Sequence, residues 1–142
     1  SDPAVFAIGD VTYRPIPVHG GVMHRLESVP NALEQAKQVA AALTGRPAPA
    51  PEVPWFWSDQ YDVKLQIAGL PFAADRRITR GDPASGPFAV FHLTGDRIVC
   101  VEAANAPPEF MMGRQLISKA TPVDPVALAD PTISMKAVAR SV

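Results

Sequence analysis

Apolar residues along this chain fall into three regimes, and each predicts a different kind of element. Residues 4–8, Ala4-Val5-Phe6-Ala7-Ile8, form an unbroken apolar run that stops at Gly9-Asp10, the pattern of a strand buried on both faces. Further on the spacing becomes helical: Leu33, Ala36, Ala40 and Leu43 make a stripe, widened by Ala32 and Val39. Ser28 is placed to cap this helix, Pro30 sits in its first turn, and Gly45 with Pro47 ends it. Beyond Pro54 the period turns to two. Tyr61, Val63, Leu65 and Ile67 share one strand face while Asp62, Lys64 and Gln66 share the other, as in an antiparallel sheet with one wetter face. Arg76 to Arg80, Phe88 to Leu93 and Ile98 to Ala103 read as further strands, the last two joined by a tight hairpin at Gly95-Asp96. Asn105, with Pro107 and Pro108 behind it, opens a helix carrying Phe110 and Ile117 on one side, and Asp124-Pro125 starts a short helix through Leu128.

These regimes imply two domains. A doubly buried strand needs parallel neighbours and covering helices, and nothing else in the sequence offers a βαβ pattern, so the chain reads as a C-terminal piece of a larger α/β protein. The segment Val11 to Arg25, rich in proline and glycine, reads as a loop. Arg46 to Pro54 carries four prolines, Pro47, Pro49, Pro51 and Pro54, and reads as a stiff extended linker. Residues 1–48 are then the remnant of an α/β domain, and 49–142 a second domain in which strands are followed by helices. That order gives an α+β class, with an antiparallel sheet and helices after the last strand and helix of the α/β domain.

Composition narrows the chemistry. Thirteen Lys and Arg against fourteen Asp and Glu leave a formal charge of −1, so no electrostatic footprint points to nucleic acid. No apolar run is long enough to span a bilayer, and no signal peptide opens the chain. A lone cysteine, Cys100, excludes an internal disulfide and any multi-cysteine metal or iron–sulfur site. It falls in a strand-like run and reads as a small buried apolar residue. His19, His24 and His92 lack ligand spacing and read as surface or structural residues, so no metal ligand is assigned. The composition suits a cytoplasmic globular protein.

Three constellations could carry function. Gly9-Asp10 follows the apolar run, placing a carboxylate where open α/β sheets bind ligands, or else forming an ordinary turn. Within Arg25-Leu26-Glu27-Ser28-Val29-Pro30-Asn31-Ala32 a helix begins, leaving the backbone N–H of Val29 at the positive end of the helix dipole. Such an end suits a group that becomes anionic; the plain alternative is an N-cap with Glu27 in solvent. The third is Trp55-Phe56-Trp57-Ser58-Asp59-Gln60, with both tryptophans of the chain. It reads as a bulky core anchor or as the wall of a flat cofactor or partner surface. Asp59 and Gln60 could orient a ligand or only hydrogen-bond the loop.

In this order and spacing the three motifs closely resemble one family. With Gly95-Asp96-Arg97, Asn105-Ala106-Pro107-Pro108-Glu109-Phe110 and Pro131-Thr132-Ile133-Ser134-Met135-Lys136, the chain resembles FAD-containing, NAD(P)H-dependent ferredoxin reductases. These serve cytochrome P450 and ring-hydroxylating oxygenase systems and are of the putidaredoxin reductase type. The resemblance implies that Asp10 binds the ribityl chain of FAD and that Val29, flanked by Glu27 and Ser28, presents its N–H to the pyrimidine edge of the flavin. It implies further that Trp57 lies beside the isoalloxazine ring with Trp55 nearby. Residues 1–48 become the end of the FAD-binding domain, and 49–142 the domain that covers the flavin and helps dock a [2Fe–2S] ferredoxin. Lys37 and Lys64 are the candidates for contacting that acidic partner.

The family's two Gly-rich dinucleotide fingerprints, for FAD and for NAD(P)H, do not occur in these residues. The isolated chain is therefore expected to hold FAD weakly or not at all and not to oxidise NADH. Its orphaned strand and helix stripe are expected to lack cover and to favour a homodimer. The other reading of the isolated chain is a non-catalytic interaction or dimerisation module.

Overall fold

In the computed structural model, which describes residues 2–72 and 74–139, the chain folds as two units, Ser1–Phe56 and Trp57–Val142.

The first unit is built on one helix. Strands β1 (Arg14–Ile16) and β2 (Val22–His24) pair antiparallel around a single 3-10 turn, Pro17–His19. This hairpin lies in the segment read as a loop; three-residue strands flanked by proline and glycine leave no alternation to detect. Helix α1 spans Val29–Leu43. Ser28 caps it as expected, its hydroxyl accepting the Asn31 N–H at 3.3 Å, and Pro30 occupies the first turn, where a missing N–H costs nothing.

One expectation changes here. The run Ala4 to Ile8 forms no strand, because no neighbour within this chain can supply the ladder. Helix α1 buries Asn31, Glu34 and Gln35, while Leu33 is 58% and Leu43 69% exposed. The apolar stripe thus faces outward and the polar stripe inward. Among the described residues only Ile16, Leu26, Ala41 and Val53 form a buried apolar core in this unit.

The second unit carries the sheet. Strands β3 (Trp55–Gln60), β4 (Val63–Gly69), β5 (Arg76–Gly81), β6 (Phe88–Thr94) and β7 (Arg97–Ala104) lie in the order β3-β4-β7-β6-β5, and the pairs β4–β7, β7–β6 and β6–β5 are antiparallel. The aromatic hexapeptide is itself an edge strand, not a lead-in to one. Tyr61, assigned to the next strand by its alternation, sits in the Tyr61-Asp62 turn with φ of 56°. Helix α2 (Pro107–Ser118) packs on one face through Phe110, Gly113, Leu116 and Ile117. Gly113 allows the close approach, since a Cβ there would stand 2.8 Å from Val101 Cγ1. Asn105 does not cap α2; its side chain accepts the Lys64 N–H and donates to the Asp62 carbonyl, fastening the start of β4.

Register decides which face is which. Val101 pairs with Ala68 on one side and Phe91 on the other, so all three point toward α2, and all three are fully buried. The apolar set Val63, Leu65 and Ile67 lies on the other face with Glu102, where Val63 is exposed and Leu65 and Ile67 are half-buried. Leu93, Ile98, Val123, Leu128 and Val138 complete the core. The helix α3 (Pro125–Ala129) starts at Asp124 as expected.

Four of the sixteen prolines have a common use. In each of the pairs Asp2-Pro3, Asp82-Pro83, Asp124-Pro125 and Asp130-Pro131, the aspartate accepts the N–H two residues on, at 2.8–2.9 Å. Proline has no N–H to offer and fixes φ, so the next amide is the first one the carboxylate can reach. These bonds hold the Asp82 and Asp130 carboxyls below the ordinary carboxylate range, through Ala84 and Ser85 for Asp82 and through Thr132 for Asp130.

Candidate functional site

The first unit brings two of the sequence motifs together. Gly9 takes φ of 83°, and a Cβ there would meet the Cβ of Ala32, on the first turn of α1, at 3.8 Å. The turn that follows closes when the Thr12 N–H and hydroxyl both donate to the Gly9 carbonyl, at 3.1 and 2.8 Å. Asp10 rides on this turn with its side chain exposed. The start of α1 is thus packed beside the turn that carries Asp10. Val29 is the first helical residue and 59% exposed, and Glu27 is exposed just before it. Ser28 is occupied with the cap. An exposed carboxylate beside a helix N-terminus offers acceptors for hydroxyl groups and a positive end for developing negative charge, the donor and acceptor set that a flavin with its polyhydroxylated side chain takes.

The buried side of α1 holds this arrangement. The Gly9 N–H donates to Gln35 Oε1 at 2.9 Å, and Gln35 Nε2 donates to Thr12 Oγ1 at 2.8 Å and Asn31 Oδ1 at 3.1 Å. Asn31 Nδ2 donates to the Leu26 carbonyl at 2.7 Å, fixing the segment before the helix. Arg14 joins β1 to the helix through Asn31 Oδ1 and an ion pair of 2.6 Å with Glu34, whose other oxygen accepts the Glu52 N–H at 3.1 Å. Sequence reasoning missed Arg14, Asn31, Glu34 and Gln35. Their signal was the i, i+3, i+4 polar stripe of 31, 34 and 35, opposite the apolar one.

In the second unit, the period of two sets Trp57 and Asp59 on one side of β3 and Ser58 and Gln60 on the other. Trp57 is 43% exposed. Gln60 donates to Ser58 Oγ at 3.3 Å. The two lysines proposed for docking are already engaged: Lys37 lies 3.7 Å from Glu52, and Lys64 4.0 Å from Asp59. Both pairs are exposed, so they are weak and exchangeable. On the face away from α2, His92 is buried and its Nε2 lies 2.8 Å from Glu102. Cys100 is buried beside it, and its thiol is pushed up to about 12 by burial and by the Glu102 charge. It stays a thiol at neutral pH, the small apolar residue that the sequence suggested.

No group of three or more His, Cys, Asp or Glu is placed to hold a metal ion among the described residues. No helix among them is long and apolar enough to cross a membrane.

The family described as Reductase C-terminal matches residues 55–139. The chain is 54% identical over 139 residues to the probable ferredoxin reductase CtmF of Castellaniella defragrans, covering 98% of this chain and 34% of that protein. It is 42% identical over 138 residues to putidaredoxin reductase CamA of Pseudomonas putida, covering 97% and 32%. Its fold superposes with a TM-score of 0.90, at 42% identity, on a chain of the crystal structure of the covalent putidaredoxin reductase–putidaredoxin complex, covering 96% of this chain and 33% of that one. The chain spans about a third of the length of these curated relatives.

Proposed function

The chain belongs to the reductase C-terminal family and corresponds to the C-terminal third of ferredoxin reductases of the putidaredoxin reductase type, and from that premise we propose that it forms the flavin-edge and flavin-covering part of an NAD(P)H:ferredoxin oxidoreductase. The observation that supports this reading best is the Gly9–Thr12 turn held against the first turn of α1, which sets Asp10 beside a helix N-terminus. Asp10 accepts hydrogen bonds from the ribityl hydroxyls of FAD. Val29 donates its backbone N–H to the pyrimidine edge, and the dipole of α1 favours the negative charge that reduction places there. Ser28 keeps that N–H in position by capping the helix, and Glu27 borders the same edge. Trp57, partly exposed on β3, offers an aromatic face of the kind that would pack along a flavin ring and exclude water. FAD supplies the chemistry of accepting a hydride from NAD(P)H and releasing single electrons to a [2Fe–2S] ferredoxin serving an oxygenase. Lys37 and Lys64 exchange Glu52 and Asp59 for carboxylates of that ferredoxin.

The full-length protein containing this chain, loaded with FAD, is expected to reduce a [2Fe–2S] ferredoxin with NADH or NADPH. Asp10→Ala is expected to weaken FAD binding about tenfold or more while leaving the far-ultraviolet circular dichroism unchanged. A flavin-loaded protein that reduces no ferredoxin tested would reject the reading. The isolated chain is expected to purify colourless, and stoichiometric flavin absorbance in such a preparation would contradict this.

A second reading, an interaction or dimerisation module, is favoured for the isolated chain by one observation: α1 exposes Val29, Leu33 and Leu43 to solvent. In the longer protein this stripe packs against the preceding polypeptide. In isolation it pairs with a second copy. Sedimentation at increasing concentration is expected to show dimers, and the double variant Leu33→Glu, Leu43→Glu to be monomeric. A wild-type chain that stays monomeric at high concentration sinks the idea.

A further inference from the structure

Gln35 is 4% exposed, and besides its bond to Asn31 within α1 its amide reaches out of the helix. Its amide oxygen accepts the Gly9 N–H at 2.9 Å, and its amide nitrogen donates to Thr12 Oγ1 at 2.8 Å. Those two residues are the ends of the turn that carries Asp10, and Thr12 in turn donates to the Gly9 carbonyl at 2.8 Å. Among the described residues, no other side chain of α1 hydrogen-bonds to Gly9 or Thr12. The amide is itself oriented by Asn31, whose Oδ1 accepts from Gln35 at 3.1 Å and from Arg14 Nη2 at 2.8 Å, and whose Nδ2 holds the Leu26 carbonyl. One buried side chain therefore links the Asp10 turn to the helix whose first residue is Val29.

Gly9 makes this linkage matter. At φ of 83° a glycine has wide conformational freedom, so the turn does not hold itself in one place. A carboxylate on such a turn loses binding strength through the entropy of ordering it, unless a second contact orders it beforehand.

We infer that Gln35 is a positioning residue for the flavin site: it fixes the Gly9–Thr12 turn to α1 and so holds the Asp10 carboxylate in register with the Val29 N–H. This rests on the flavin-site reading given above. Gln35 touches no flavin atom. It acts through Gly9 and Thr12, with Asn31 and Arg14 setting its amide.

The test uses the full-length apo-protein titrated with FAD, with Asp10→Ala as reference. Gln35→Met keeps the volume and removes both amide bonds, and is expected to weaken FAD binding about tenfold, the worth of roughly one good hydrogen bond. Gln35→Glu keeps the acceptor for the Gly9 N–H and is expected to retain more of the affinity than Gln35→Met. Thr12→Val, at a half-buried site, removes the other end of the link and is expected to weaken binding several-fold. It serves if Gln35→Met does not fold. In the apo-protein, hydrogen exchange at Gly9 and Thr12 is expected to quicken while interior amides of α1 keep their protection, a local change that a general loss of stability would not give. The reduction potential of bound flavin is expected to shift with Gln35→Met, because Asp10 is displaced relative to the Val29 N–H. Affinity within twofold of wild type for both Gln35→Met and Thr12→Val, with Asp10→Ala still weak, overturns the positioning role alone. Wild-type affinity in Asp10→Ala overturns the flavin-site reading and this inference with it.

Discussion

Gly69→Ala is expected to unfold the C-terminal unit. Gly69 ends β4 at φ of 83°, and a Cβ there would stand 2.1 Å from the Val99 carbonyl oxygen and 3.0 Å from Cys100 Cα. Both are backbone atoms of β7, so no side chain can swing aside. The same Val99 oxygen accepts the Leu70 N–H at 3.0 Å, at the point where the β6–β7 register shifts. Relieving the overlap means separating β4 from β7, and β7 is the central strand carrying Val101 and Cys100. The left-handed conformation alone costs an alanine about 1–2 kcal/mol, and the steric overlap adds more, for a total of at least about 3 kcal/mol. Cys100 supplies the readout, since it is 1% exposed and paired in register with Gly69. Alkylation of Cys100 is expected to be slow in the wild-type chain and fast in the variant. If Gly69→Ala melts within about 1 kcal/mol of wild type, the close approach is not rigid.

The second large effect is at Arg80, which is 4% exposed on β5. Its guanidinium donates to the carbonyls of Leu128, Asp130 and Ile133 and forms an ion pair with Glu109 at 3.2 Å. Leu128 lies in α3, Asp130 and Ile133 lie in the segment after it that has no ladder of its own, and Glu109 lies in the first turn of α2. One side chain thus pairs the buried Leu128 carbonyl and the part-buried Ile133 carbonyl and adds a second bond to that of Asp130, with the planar fork that lysine lacks. Arg80→Met keeps the bulk and leaves these acceptors and the Glu109 charge behind. It is expected to cost about 3–5 kcal/mol in urea unfolding, the range for breaking a buried ion pair by removing one partner. Arg80→Lys should recover only part of the loss. Hydrogen exchange should quicken first around residues 128–138. A loss below about 1 kcal/mol would mean that water replaces the guanidinium without penalty.

Neither residue announced itself in the sequence. Arg80 stands at the end of an arginine-rich strand, Arg76-Arg77-Ile78-Thr79-Arg80, and reads like its exposed neighbours until register puts it opposite Ala89, on the same face as Ala103 and toward α2. Gly69 reads as the end of a strand. By contrast Phe88 to Leu93, Ile98 to Ala103, the Ser28 cap, Gly95 in the hairpin and Asp124 before α3 follow from local pattern, because each depends on chemistry within a few residues. The hexapeptide did not read as a strand because its aromatic side chains hide the alternation that marked the next one. The Tyr61 assignment failed for a related reason: the alternation runs through a turn without a break.

The candidate site divides in the same way. The sequence by itself determined the motifs, Asp10 after Gly9, the helix starting at Val29 and the paired tryptophans, and through their order it determined the family. It also determined that α1 has an apolar and a polar stripe. Only the tertiary structure decided which stripe faces inward. Amphipathicity fixes the contrast between faces, whereas the direction depends on what lies alongside. Here the groups that face residues 31, 34 and 35 are Arg14, Thr12, the N–H groups of Gly9 and Glu52 and the Leu26 carbonyl, polar groups whose burial requires hydrogen bonds. Asn31, Glu34 and Gln35 supply those bonds, so they turn inward, and Leu33 and Leu43 are left facing outward.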